Sequence, residues 1–299
     1  MSYCMFDANQ YQLLDFGQGR KLERFGPLVL DRVCPVAEGE SISDPGAWKQ
    51  SHFCYRRRQG RKGNWIANCP LPAEDIALGE DGLPSPWQVQ HGQLQLEIRL
   101  TPSGQVGLFP EQAVNWDWLS SQLGRMKSPL KVLNLFAYTG GSTLAAAAAG
   151  AEVVHVDGAR NVVDWARRNA RHAGLQDAPV RWICDDCLTF VQRELRRGNG
   201  YDAVIMDPPS YGHGPDGQSW KIEQHLGPLL DACADLTRGR RQLMLLSCHS
   251  PAFGPAELHA LLADHVWGSC QQGGDACPLT IESAAGRMLP SGVVARWPG

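Results

Sequence analysis

The sequence predicts an α/β protein: a Rossmann-like, doubly wound and mainly parallel sheet carried behind a smaller β-rich N-terminal domain. Three observations carry this. After Pro110, five short apolar runs alternate with helical stretches, the pattern of a parallel sheet with crossover helices. Residues 1–110 are instead rich in Gly, Pro and polar residues, with short alternating pieces. A length of 299 residues, 43% hydrophobic and 20% charged, suits two packed domains rather than a disordered chain. The expected division is 1–110, an accessory domain suited to substrate recognition, and 111–299.

In the first part, Leu94–Leu100 alternates apolar and polar residues as a half-buried strand does. Thr101-Pro102-Ser103-Gly104 then makes a turn, with Gln105–Phe109 expected to return as the second strand of a hairpin. Tyr55–Lys62 (YRRRQGRK) is the densest basic cluster; it reads either as a solvated loop or as a phosphate-contacting patch. In the second part, Glu111–Met126 reads as a helix entered from a proline and Lys131–Phe136 as a strand. Ser142–Ala149, Asn161–Ala173, Thr189–Arg197 and His225–Leu236 read as helices. Between them Glu152–Val156, Val180–Cys184, Ala203–Met206 and Gln242–Ser247 read as strands, and a final pair is expected at Leu279–Glu282 and Val293–Trp297.

Composition bounds the partner only weakly. The formal charge is −3, so no global basic field marks a nucleic-acid binder, although 22 Arg against 6 Lys keeps RNA open through the planar guanidinium. Ten cysteines are scattered through a chain with no visible secretory signal and no apolar stretch near ~18 residues. Free thiols, a cytoplasmic location and no membrane partner are therefore expected. Cys184 and Cys187 form a lone CxxC, read as structural rather than as a metal or redox pair, and no metal is expected.

Ligands of doubly wound sheets sit beyond the C-terminal strand ends, near the switch in strand order. The loop after the first strand, Phe136-Ala137-Tyr138-Thr139-Gly140-Gly141, has paired glycines that let backbone approach a ligand ahead of a helix N-terminus. Asp157 ends the second strand, where a carboxylate can accept from ribose hydroxyls. Asp185 and Asp186 follow the third strand, where a carboxylate can accept from an adenine amino group, and Asp207-Pro208-Pro209-Ser210-Tyr211 follows the fourth. Neither GxGxxG nor GxxxxGK[ST] is present, which disfavours a nicotinamide oxidoreductase and excludes an ATP-hydrolysing P-loop.

LNLFAYTGG, the Asp157 strand end, DWARRNA, CDDC and MDPPSYG stand in the order and spacing of class I S-adenosylmethionine-dependent methyltransferases. Residues 105–255 resemble, more narrowly, the branch that includes the 23S rRNA cytosine-C5 methyltransferases. The stretch LLDFGQGRKLERFGPLVLDR resembles uncharacterised members of that branch. The resemblance implies S-adenosylmethionine as cofactor, with Phe136, Ala137, Tyr138, Thr139, Gly140 and Gly141 around its methionine part. It further implies Asp157 at the ribose, Asp186 and the Cys187 backbone at the adenine, and Asp207 and Pro208 at the cofactor amino group and reaction centre. Phe109 and Gln112, in a segment that resembles the one preceding the core, are expected to close over the cofactor, and Pro209, Ser210 and Tyr211 to face the substrate. Asn134 departs from the acidic residue common in the class, and a modest effect on cofactor affinity is expected.

Methyl transfer from a sulfonium is an in-line displacement, so alignment is the enzyme's main task. Carbon 5 of cytosine must first be activated by a thiolate adding at carbon 6. Leu246-Ser247-Cys248-His249-Ser250 resembles the Ser/Thr-Cys-Ser motif of RNA cytosine-C5 enzymes, with His249 inserted. Cys248 is thus a candidate nucleophile; the alternative is a small residue packing under the cofactor. Tyr211–Lys221 reads as a Gly-rich substrate-side lid, from which Tyr211 or Trp220 would stack on a flipped base, unless Trp220 only anchors the loop. The expected activity is methyl transfer to RNA, at cytosine C5 of ribosomal RNA. An exocyclic amine or small-molecule acceptor, or a non-catalytic cofactor-binding module, is the alternative.

Overall fold

The computed structural model describes residues 6–58, 62–71, 76–268 and 274–298. The chain divides into two compact units, residues 1–114 with 280–290, and 115–279 with 291–299. The division falls at Val114 rather than at residue 110, and it returns an eleven-residue excursion near the C-terminus to the first unit.

The first unit is built on a five-stranded sheet of β1 (Tyr11–Gly17), β2 (Arg20–Phe25), β3 (Leu28–Val33), β4 (Phe53–Arg57) and β5 (Gly63–Ala67), paired in that order. A one-turn helix, α1 (Pro45–Trp48), lies between β3 and β4, capped by Asp44, whose carboxylate accepts from the Gly46 and Ala47 amides. β6 (Trp87–His91) and β7 (Leu94–Ile98) form a separate antiparallel pair. The expected hairpin is therefore corrected: Leu94–Ile98 pairs backward with β6, not forward with 105–109. Gly107 sits at φ 88° and breaks the extended run. The Arg99 amide donates to Val106 O (3.2 Å) and the Thr101 amide to Gln105 O (3.3 Å), short of a strand ladder. Of the basic cluster, Arg56, Arg57, Arg58 and Lys62 are exposed around the β4–β5 turn, whereas Gln59–Arg61 lie outside the described residues.

The excursion is held by Arg287. Its guanidinium donates to the Phe16 and Ser41 carbonyls at 3.0 and 2.9 Å, pairs with Asp15 and Glu40, and stacks 4.1 Å from the Phe16 ring centroid. Asp15 is almost wholly buried, and amide and indole donors from Ser43, Asp44 and Trp48 keep its carboxyl below the usual range despite that burial.

The second unit begins in helix α2 (Ala113–Leu123), led by a tight turn at Pro110–Gln112. It continues as β8 (Lys131–Leu135), α3 (Gly141–Ala148), β9 (Glu152–Asp157), α4 (Arg160–His172), β10 (Val180–Cys184), α5 (Cys187–Arg196) and β11 (Ala203–Met206). β12 (Tyr211–His213), β13 (Ser219–Lys221), α6 (Ile222–Leu236), β14 (Leu243–Cys248), α7 (Pro255–Leu262), β15 (Asp275–Glu282) and β16 (Met288–Trp297) complete the chain. The main sheet has the order β10-β9-β8-β11-β14-β16-β15. Its first five strands are parallel, and β16 is antiparallel to β14. Strands covered on both faces read as continuous apolar runs. So it is here: Ala203–Met206 and Leu243–Cys248 are buried at every position.

The α/β sheet and the β-rich N-terminal part are thus both present. The stretch 211–221 is not an open Gly-rich loop but a short antiparallel hairpin, with Tyr211 opposite Lys221 and His213 opposite Ser219. Among the described residues, no helix is long and apolar enough to cross a membrane.

Candidate active site

The strand order reverses between β8 and β11, and the loops leaving β8, β9, β10 and β11 open on one edge of the sheet. The first of these loops holds an unusual backbone. Phe136 (φ 53°) and Tyr138 (φ 48°) occupy the left-handed region without being glycine, and Gly140 follows at φ 92°. Each non-glycine residue there costs about 1–2 kcal/mol, so its surroundings must hold it. They do so with bonds to the backbone: the Phe136 amide donates to Cys187 Sγ (3.3 Å), the Ala137 amide to Val156 O (3.1 Å) and the Tyr138 amide to Asp157 Oδ2 (2.9 Å). Asn169 Nδ2 donates to Thr139 O at 2.8 Å.

Gly141 has a different reason from the one its pairing suggests. A Cβ there would lie 2.4 Å from Cζ2 of Trp116, so the glycine admits the indole of α2. Gly140 likewise faces α4, where a Cβ would stand 3.0 Å from that of Ala166.

Asn134 lies beneath this loop. It is 2% exposed and donates from Nδ2 to Thr143 Oγ1 at 2.8 Å; that hydroxyl in turn meets His155 Nδ1 at 2.9 Å. Burial drives His155 down to about 3, so the imidazole is neutral and the whole chain of groups uncharged. Sequence reading placed Asn134 at the ligand; the structure gives it inward partners and almost no surface. The acidic residue common in the class would put a charge into this neutral network, whereas Asn supplies the donor that Thr143 accepts.

Asp157 closes the second strand. Its Oδ1 accepts from the Ala159 amide and its Oδ2 from the Tyr138 amide, both at 2.9 Å. Burial raises its carboxyl, and those two amides oppose the rise. The carboxylate is fixed in direction by two backbone donors, with lone pairs remaining for a ligand's hydroxyls. After β10 the two acids separate in role. Asp185 pairs with Arg193 on α5, whereas Asp186 caps α5, accepting from the Thr189 amide at 2.9 Å. Cys187 is buried, its thiol pushed well above the usual range by burial. Cys184 and Cys187 are both free thiols, and no cluster of three or more metal-ligating side chains exists among the described residues.

Beyond β11, Asp207 is half-buried, and its Oδ1 lies 3.2 Å from His249 Nδ1 at the end of β14. Pro208 is buried; Pro209, Ser210 and Tyr211 are exposed. Cys248 is close to this pair in sequence, but it is 0% exposed. Its Sγ accepts from the Ser250 amide at 3.4 Å, β16 pairs along it at Val293, and burial raises its thiol further from ionisation. A nucleophile requires an accessible thiolate; this strand end presents a buried thiol. Trp220 is also buried, with Nε1 donating to Pro209 O and its ring 4.7 Å from that of Phe136. It anchors the hairpin and has no face for a base. Tyr211 is exposed, its hydroxyl 3.0 Å from His213 Nε2.

The second unit thus brings Phe136–Gly141, Asp157, Asp186, Cys187 and Asp207–Tyr211 to one edge. Phe109 and Gln112 belong to the first unit, at the turn before α2, with Gln112 buried. Sequence reasoning missed Thr143, His155 and Trp116, which support the first loop from below and beside.

These residues suit the nucleoside and amino-acid ends of S-adenosylmethionine: a fixed carboxylate for hydroxyls, a second acid at a helix cap, and a loop of rigid backbone before a helix N-terminus. Comparison with known proteins agrees. The family model for S-adenosylmethionine-dependent methyltransferases matches residues 53–265. A crystal structure of the SAM-dependent methyltransferase from Agrobacterium tumefaciens superposes with a TM-score of 0.87 at 34% identity, covering 97% of this chain and 91% of that one. Ribosomal RNA large subunit methyltransferase I of Aeromonas hydrophila is 37% identical over 202 residues, 67% of this chain and 44% of its own length. Ribosomal RNA large subunit methyltransferase K/L of Cellvibrio japonicus is 29% identical over 164 residues, 54% of this chain and 20% of its own. The chain therefore spans less than half the length of these ribosomal RNA enzymes. The family model covers well over half of the sequence, and the chain belongs to the S-adenosylmethionine-dependent methyltransferases.

Proposed function

We propose that the chain methylates RNA, and that its acceptor is an exocyclic amine of a base. The RNA half of this reading is supported by the likeness to ribosomal RNA methyltransferases I and K/L. The acceptor half is carried by one observation, the burial of Cys248. Cytosine C5 chemistry needs a thiolate at carbon 6, and a thiol with no exposed surface and a raised pKa cannot supply one without displacement of the segment that covers it.

S-adenosylmethionine supplies a methyl group made electrophilic by its sulfonium. In this reading Asp157 accepts from the ribose hydroxyls, Asp186 and the Cys187 backbone hold the adenine, and Phe136–Gly141 enclose the methionine part. Asp207 and the Pro208 carbonyl accept hydrogen bonds from the amine, turning its lone pair toward the methyl group. Pro209, Ser210 and Tyr211 form the exposed rim against the base. The proton released after transfer passes to the Asp207 carboxylate, beside which His249 Nδ1 stands at 3.2 Å. In the first unit, Arg56, Arg57, Arg58 and Lys62 would contact phosphates.

Cytosine C5 is the second reading, favoured by the Ser247-Cys248-His249-Ser250 order at the strand end next to Asp207. Mass-spectrometric mapping of modified nucleosides in cells lacking the protein separates the two. An N-methylated nucleoside is expected to disappear and to return with either the native chain or Cys248→Ala. Loss of 5-methylcytidine, restored by the native chain but not by Cys248→Ala, would overturn the amine reading.

A further inference from the structure

The hairpin β12–β13 leaves the acceptor-side loop, yet its tip lies elsewhere. At the tip, the Gly214 amide donates to Gln218 O at 2.8 Å, and the Asp216 amide to Gln218 Oε1 at 3.0 Å. This turn rests on the loops after β9 and β10. A Cβ on Gly158 would lie 3.4 Å from His213 O, 3.6 Å from Gly214 Cα and 3.7 Å from Pro215 Cδ. From the other side, a Cβ on Gly214 would lie 3.1 Å from Cβ of Asp186. The tip is therefore in van der Waals reach of the residue after Asp157 and of Asp186 itself. The root is fixed by Trp220, through Pro209 O, the Phe136 ring and the His225 ring, whose centroid is 5.6 Å away. One hairpin thus touches all four strand-end loops: it is anchored by an indole at the acceptor and methionine end and laid by its glycine tip across the nucleoside end.

We infer that residues 213–218 form the outer wall of the cofactor's nucleoside subsite, and that this tip must lift for cofactor and product to exchange. This rests on the reading of Asp157 and Asp186 as the nucleoside-binding acids. The chemistry fits the position. Gly212, Gly214 and Gly217 free the tip of side-chain bulk, while the buried Trp220 holds the root. Motion is thereby confined to the turn. Because the strap leaves directly from Pro209-Ser210-Tyr211, a lifted tip also disturbs the acceptor rim, so product release and acceptor binding are coupled through one element.

Two measurements on the full chain test this. Hydrogen exchange of residues 213–218 is expected to slow on adding S-adenosylhomocysteine or 5′-methylthioadenosine, which carry the nucleoside, and not on adding methionine. In stopped-flow displacement, Gly214→Ala, whose methyl would lie 2.5 Å from Gln218 Oε1 within the turn and 3.1 Å from Asp186 Cβ, and a variant with 213–218 replaced by a two-residue turn should both release S-adenosylhomocysteine faster. Loss of a few contacts corresponds to about tenfold in the dissociation rate. Unchanged exchange and unchanged release in both variants would overturn the proposal. Asp157→Ala separates the two levels: weakened binding there with unaltered hairpin variants removes only the strap, whereas undiminished binding in Asp157→Ala removes the site assignment beneath it.

Discussion

His155 offers a test of the buried network that can be worked through in numbers. It is 0% exposed and its folded pKa is about 3, against 6.5 for an unburdened histidine. The unfolded chain therefore takes up a proton below about pH 6.5 that the folded chain refuses. Stability is full above that pH and is lost as pH falls toward 3. Well below 6.5 each pH unit costs about 1.4 kcal/mol, and because the unfolded histidine is already half protonated at pH 6.5, lowering pH from 6.5 to 4.5 should remove about 2.3 kcal/mol. His52, also lowered by burial, loses stability in the same window, but it is present in both proteins compared and cancels. The carboxyls act elsewhere. Glu23, Glu194 and Asp202 have depressed folded values, so their contributions hold above the ordinary carboxylate range and are lost only below it. Asp157, raised by burial, works in the opposite direction, becoming less unfavourable as pH falls. The perturbation is His155→Gln, which keeps an acceptor for Thr143 and does not titrate. Urea unfolding followed by tryptophan fluorescence at pH 6.5 and 4.5 gives the comparison. Native protein should lose about 1 M more in its midpoint than the variant, at an m-value of about 2–3 kcal/mol/M. Equal losses in both would refute the claim that His155 is held neutral between Thr143 and the Trp182 ring.

Two further outcomes follow from the packing. Gly141→Ala places a methyl 2.4 Å from Trp116 Cζ2, and should destabilise the second unit by about 1–3 kcal/mol with a shifted tryptophan emission; native stability and emission would mean that the indole yields freely. Arg287→Ala removes donors to Asp15, Phe16, Ser41 and Glu40 and should lower the thermal midpoint of the first unit by several degrees, by roughly 2–3 kcal/mol, whereas Arg287→Lys restores only part of it.

How much of this was legible in the sequence depends on where each cause lies. Ala203–Met206 was read to the residue because a strand buried on both faces and bounded by polar turns carries its signal locally, and Val180–Cys184, a half-exposed edge strand, because its apolar residues stand between polar turns. Asp157 and Asp207 were legible as strand ends, since chain order alone places them on one edge. The remainder is non-local. The positive φ values of Phe136 and Tyr138 have no signature in side-chain type, because they are held by Cys187 at the start of α5 and Asp157 at the end of β9. The packing of Gly141 was hidden because the residue it admits, Trp116, precedes it by a whole strand. Asn134 looked like a ligand because Thr143 and His155 face it only once the sheet forms. The burial of Cys248 was hidden because the strand that pairs along it comes last in the chain. The same holds for 211–221: its glycines suggested an open loop, whereas the hairpin pairing and the contact with Gly158 and Asp186 exist only in three dimensions.

The most direct measurement is transfer of labelled methyl from S-adenosylmethionine to RNA prepared from cells lacking the protein, run beside Asp157→Ala. On the proposed assignment of Asp157 to two ribose hydroxyls, its removal should weaken cofactor affinity by about 2–3 kcal/mol, or roughly 30- to 150-fold. Label is expected in RNA with the native chain, and at limiting cofactor it should fall by that factor in the variant. Native protein that binds the cofactor yet leaves RNA unlabelled, or an Asp157→Ala chain that labels it equally well, would contradict the reading.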